Sequence, residues 1–134
     1  MLLTLSLALL VAGPGSLSEP DQEAVQAAAL KHYLGKNPSD EAICLAVSGY
    51  KAPSKTLRLL LQGIRLDRNE KCHFREGALV YSLTSVGLNP QGTAELEVSR
   101  LEFGDVSSRL ERVVYKLEKD KENWQVQSSR RAVQ

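Results

Sequence analysis

Two cysteines and two histidines are the only strong metal-ligand or nucleophile types in the chain: His32, Cys44, Cys72 and His73. Structural zinc takes four ligands, usually with a Cys-x2–4-Cys or His-x3–5-His pair. Neither spacing occurs, so no metal site is expected. A Cys–His nucleophile needs a thiolate beside a histidine that a third group orients. Ser48-Gly49 and Ser85-Val86-Gly87 lack the flanking glycines of a nucleophile elbow. The nine glycines are scattered singly, so there is no phosphate-cradling loop. The carboxylate pairs Glu95/Glu97 and Glu118/Asp120 read as charged faces of strands. Arg65, Arg68, Lys71 and Arg75 form a basic cluster, but Asp67, Glu70 and Glu76 interrupt it and only Phe74 is there to stack on a base. That argues against nucleic acid. No cofactor is called for, and no catalytic residue is assigned.

The address of the protein decides what its cysteines do. Leu2 to Ala12 is almost wholly apolar, and Gly13, Pro14 and Gly15 break the run. Ser16 and Ser18 then stand at the −3 and −1 positions of a cut before Glu19. This pattern reads as a secretory signal peptide over residues 1–18, followed by one domain over 19–134. The apolar run is shorter than the roughly 20 residues a membrane span needs. No later segment is apolar for longer, so no stable membrane span is expected. Secretion or periplasmic residence follows, and an oxidising compartment favours a Cys44–Cys72 disulfide. The enclosed loop is about 28 residues, for which chain entropy gives on the order of 3–4 kcal/mol.

The chain has 134 residues, with 17 Lys plus Arg against 16 Asp plus Glu. That near-neutral balance indicates neither a nucleic-acid partner nor a solvating acidic tail. Pro20 and the acids after it open a helix over 20–34. Val25, Ala28, Ala29, His32 and Tyr33 share one face of it, and Gly35 is placed to cap its end. Ala42 to Val47 is a short buried strand. Pro53-Ser54 opens a second helix, with Leu57, Leu60, Leu61 and Ile64 at helical spacing and an end near Gly63. Residues 65–77 read as a charged loop that holds Cys72. From Ala78 the period changes to two. Four strands follow, with turns at Asn89–Gly92 and Gly104-Asp105 and a polar connection over 119–123. Leu101 and Phe103 fall out of phase with Leu96 and Val98, which suggests a bulge near Ser99–Arg100. Glu95 and Glu97 would face Arg112 and Lys116 on the next strand.

Strands grouped after the helices predict an α+β fold, with two helices packed on one face of a curved antiparallel sheet of about four to five strands. This order, closing on a hairpin with Trp124-x-Val126, resembles the NTF2-like or cystatin-like superfamily. The resemblance implies a sheet wrapped around helices with a pocket at one end. The stretch Cys44, Leu45, Val47, Gly49, Pro53, Ser54 and Leu57 is similar to that of small exported bacterial proteins that are uncharacterised and have no assigned activity. Unlike their lipoprotein-like members, this chain has no Cys after its signal segment. NTF2-like enzymes use Asp, His or Tyr inside the cone, and no such position carries over here. The expected function is a non-enzymatic binding or structural module of the cell envelope, taking an unknown protein or a small apolar ligand. The alternative is a small NTF2-like enzyme using a buried acid or His32. A pocket between the first helix and the sheet is the expected site, lined by His32, Tyr33, Tyr81 and Trp124.

Overall fold

In the computed structural model, the described residues are 17–49, 51–67, 78–104 and 106–132. The expected signal segment up to Ser16 therefore lies outside them, as do Cys72, His73 and the turn residue Asp105. Two helices and six strands occur in the described residues: α1 (Glu19–Lys36), β1 (Cys44–Val47), α2 (Lys55–Leu60), β2 (Leu79–Leu83), β3 (Gly87–Leu88), β4 (Ala94–Glu102), β5 (Arg109–Asp120) and β6 (Asn123–Arg131). The fold is α+β. None of these helices is long and apolar enough to cross a membrane.

Helix α1 starts where the sequence leaves its first N–H groups a partner. The Ser18 hydroxyl accepts from the Asp21 amide, the Ser18 carbonyl accepts from the Gln22 amide, and Pro20 needs no acceptor. Leu17 packs on the edge of the core just before the cap. The helix ends two residues later than expected. Gly35 stays inside the last turn, and Asn37 is the cap. Its backbone N–H and its side-chain Nδ2 both donate to the Tyr33 carbonyl, at 2.9 and 3.1 Å. With those donors in place the end needs no left-handed glycine.

The second helix is a single short turn and a half. Ser54 caps it through the Leu57 amide. Leu57 and Leu61 are buried, but Leu60 is exposed, so the expected apolar face is narrower than the spacing implied.

The sheet is mixed and open, with strand order β1-β2-β4-β5-β6, and β3 pairs with β4 beyond the end of β2. The all-antiparallel expectation of four to five strands is corrected here. β1 runs parallel to β2, with Leu45 opposite Tyr81 and Val47 opposite Leu83. A strand, a crossover through a helix and a second strand in the same sheet give a parallel pair. The remaining pairs are antiparallel.

Paired residues in the antiparallel ladders share a face. One face therefore carries Tyr81 and Leu83, then Ala94, Leu96 and Val98, then Tyr115 and Leu117, and all of these are buried. Against them come Val25, Ala29, Leu30 and Tyr33 of α1, which contacts β4, β5 and β6. One polar side chain enters this contact. Gln26 is buried, and its amide Nε2 donates to the Thr84 carbonyl at 3.1 Å.

The expected bulge at Ser99–Arg100 is absent, because β4 keeps an unbroken register with both neighbours from Leu83↔Val98 to Leu79↔Glu102 and from Ala94↔Leu117 to Glu102↔Arg109. The only irregularity in these ladders lies between Lys116 and Leu117, where β5 meets β6. On the other face Glu95 stands opposite Lys116, and Arg112 Nε lies 2.8 Å from Glu97 Oε1. Partial exposure holds that pair to about 1 kcal/mol or less.

Replacing the helix cap, Ser18→Ala, should lower the unfolding free energy by about 1 kcal/mol. Urea denaturation followed by helix circular dichroism measures it. An unchanged midpoint would remove Ser18 from the fold's start.

Candidate functional site

The inner face of the sheet changes character along its strands. On β4 the inward series runs Ala94, Leu96, Val98, then Arg100 and Glu102. On β5 it runs Leu117, Tyr115, Val113, then Glu111 and Arg109. The register sets Tyr81, Arg100 and Glu111 side by side across three strands. Tyr33, from the last turns of α1, descends onto this row. Its hydroxyl donates a short hydrogen bond to Glu111 Oε1. Its ring meets that of Tyr81 edge to face, with centroids 6.2 Å apart.

Charges surround this contact. Arg131 Nη2 lies 3.3 Å from Glu111 Oε2, and Arg100 Nη2 lies 3.7 Å from Glu102 Oε2. Above the row, the segment after α1 supplies Asn37, Ser39, Asp40 and Glu41. Together they enclose a cleft of about 470 Å³. Its lining is mainly polar, whereas the sequence suggested an apolar ligand.

The environment sets the protonation of these groups. Burial pushes the Tyr33 phenol far above its ordinary value of 10.0, and the hydrogen bond to Glu111 and that residue's charge add to the shift. Tyr33 is thus a fixed neutral donor at any physiological pH. Burial also raises Tyr115, with the Glu111 charge as the second cause. At Arg100, burial acts to lower the pKa, but the hydrogen bond to Tyr81, with Tyr33 and Glu102 nearby, outweighs it and holds it above its ordinary value. Arg100 is a permanent cation in the cleft.

The four expected pocket residues separate into two places. Tyr33 and Tyr81 line this cleft together. His32 lies beside it, edge to face with Tyr115 at 5.4 Å, with its buried Nδ1 unpartnered among the described residues. Trp124 sits near the opposite end of α1. Its indole Nε1 donates to Asp21 Oδ1 at 3.4 Å, and Lys119 stands 3.5 Å from the same oxygen. That hydrogen bond is the main cause that holds the Asp21 carboxyl below its ordinary range, while burial opposes it. Asp21 and Tyr33 are twelve residues apart on one helix, or roughly 18 Å. Cys44 opens β1, half-buried and opposite Val80, while its expected partner Cys72 lies outside the described residues.

Arg100, Glu102 and Glu111 escaped the sequence reading. Their signal was present in Val98-Ser99-Arg100-Leu101-Glu102, where the inward phase turns from apolar to charged. Among the described residues, no group of three acidic, His or Cys side chains converges to hold a metal. No protein-family model, curated protein or solved structure matches this chain.

The raised Tyr33 pKa fixes how stability depends on alkaline pH. The unfolded phenol ionises near 10, whereas the folded one resists. The stabilisation is complete below pH 10 and is lost as pH rises from there toward the folded value. Urea midpoints of the wild-type protein should fall above pH 10 more steeply than those of Tyr33→Phe. Equal slopes would show that Tyr33 is not held neutral by its surroundings.

Proposed function

We propose that this chain is an exported, non-enzymatic binding module whose site is the cleft between the end of α1 and strands β2, β4 and β5. The observation that carries this reading is the Tyr81–Arg100–Glu111 row closed by Tyr33. Polar groups facing inward at the end of an apolar face are costly unless they are hydrogen-bonded or used. Here they are tied to one another and open onto a cleft, the arrangement of a preorganised recognition surface. Fixed donors and a permanent cation suit binding. Tyr33 is pushed up, away from proton exchange near neutral pH, and Arg100 is held charged.

The NTF2-like or cystatin-like resemblance belongs to the same proposal, with both helices on the inner side of a curved sheet. The ligand is small and polar rather than apolar. Export and a Cys44–Cys72 bridge complete it. No free cysteine occurs among the described residues, which supports the bridge. Leu17 packs on the core and Ser18 caps α1, so the last two residues of the expected signal segment also touch the domain.

Two measurements test this reading. Protein exported by its host, unfolded without reductant, should show no reactive thiol and an intact mass that lacks the apolar segment over residues 2–12. Two titratable thiols on a full-length chain would refute export and bridge together. In a thermal-shift screen of small polar compounds, those that raise the wild-type midpoint should leave Arg100→Ala unchanged. A screen without a single stabilising compound would refute the cleft as a binding site.

A further inference from the structure

The charges lining the cleft are of both signs: Arg100 and Glu111 on the floor, Asp40 and Glu41 on the rim. Glu111 is already engaged, since Oε1 accepts from the Tyr33 hydroxyl and Oε2 lies 3.3 Å from Arg131 Nη2. Arg100 belongs to the sheet floor, beside Tyr81 and within 3.7 Å of Glu102. A guanidinium has five N–H donors in a planar fork. The Tyr81 hydroxyl and one long contact to Glu102 leave part of that fork for another acceptor. Asp40 and Glu41 belong to the rim, on the exposed segment that follows α1. Neither carboxylate enters an ion pair among the described residues, where the four pairs are Arg100–Glu102, Arg112–Glu97, Lys119–Asp21 and Arg131–Glu111. Arg65 donates to the Asp40 backbone carbonyl rather than to its carboxylate. Lys36 is exposed in the last turn of α1. The negative end of the 18-residue helix α1 also faces this segment. Between floor and rim stand the rings of Tyr33 and Tyr81 and the side chain of Leu79.

An anion alone would meet Arg100 but also the rim carboxylates, which enter no ion pair among the described residues. A cation alone would meet the rim but would approach Arg100. We propose that the cleft binds a small zwitterion, with its carboxylate on the Arg100 guanidinium and its ammonium on the Asp40 and Glu41 carboxylates. A short apolar linker between the two charges would lie against Tyr33, Tyr81 and Leu79. This inference rests on the reading of the cleft as a binding site and names the chemistry of its ligand.

Isothermal calorimetry with a matched set of compounds tests it. Glycine, γ-aminobutyrate and 6-aminohexanoate carry both charges at three separations. Hexylamine and hexanoate each carry one. At least one of the zwitterions should bind about tenfold or more tightly than either single-charge compound, as expected where two charge-assisted contacts act together. Arg100→Gln should abolish the preference over hexylamine. The exposed pair Asp40→Asn with Glu41→Gln should abolish the preference over hexanoate and leave the thermal midpoint of the free protein unchanged.

Hexylamine or hexanoate binding as tightly as the best zwitterion would overturn the zwitterion and leave the binding site standing. So would failure of the whole set while other polar compounds bind the wild-type protein and not Arg100→Ala. Failure of every polar compound would overturn both.

Discussion

The contact on which this structure depends is the burial of one face of α1 on the inner face of the sheet. Val25, Ala29, Leu30 and Tyr33 are fully or almost fully buried, and so are Ala94, Val98 and Leu117 beneath them. Small residues on both sides, Ala29 above and Ala94 below, allow close approach. Each larger side chain here contributes roughly 1.5–3 kcal/mol by leaving water. A helix of 18 residues is about 27 Å long, while the 12 residues of β5 extend roughly 40 Å. One helix therefore cannot cover all of the inner face. Where its cover ends, the strands must turn polar or leave apolar surface in water. Arg100, Glu102, Glu111 and Arg109 are the answer in the sequence.

Both ends of the helix are pinned by polar contacts of the same construction. At the start, Asp21 joins the Trp124 indole and Lys119, with the Lys119 ammonium 6.0 Å from the indole ring. At the end, Tyr33 reaches Glu111, which is also held by Arg131. The ion pairs are partly exposed and are each worth about 1 kcal/mol or less. Their stronger effect is geometric. They set the position of the helix along the strands, which a purely apolar contact leaves less determined. The second clamp is also the floor of the cleft, so the residue that fixes the helix also presents the site.

Most elements were legible in the sequence because their signals are local. Ser18 and Ser54 cap the helices they precede, and the period-two segments after Ala78 are strands. Topology is non-local, and there the antiparallel expectation failed at β1. The information lay in element order, since a strand, helix and strand in one sheet imply a parallel pair. The phase change after Val98 was read as a defect in the strand. It is a change of environment along an unbroken strand, and period alone does not separate the two. Trp124 and Tyr33 are both expected in one pocket between the first helix and the sheet, yet they lie near opposite ends of α1. Which end of the helix an aromatic meets depends on sheet register, and the sequence carries that only through pairings formed at long range.

The same geometry fixes the protonation of two groups in the cleft. An acid–base catalyst needs a group that gains and loses a proton near the working pH. Burial and the Glu111 carboxylate together move Tyr33 away from that condition, because each favours the neutral phenol. Arg100 is moved away from it as well, because burial is outweighed by Tyr81, then by Tyr33 and Glu102, which favour the charged guanidinium. Tyr33 is thereby a fixed donor and Arg100 a fixed charge. The constraint that made the uncovered end of the sheet polar thus also fixed the protonation of Tyr33 and Arg100 there.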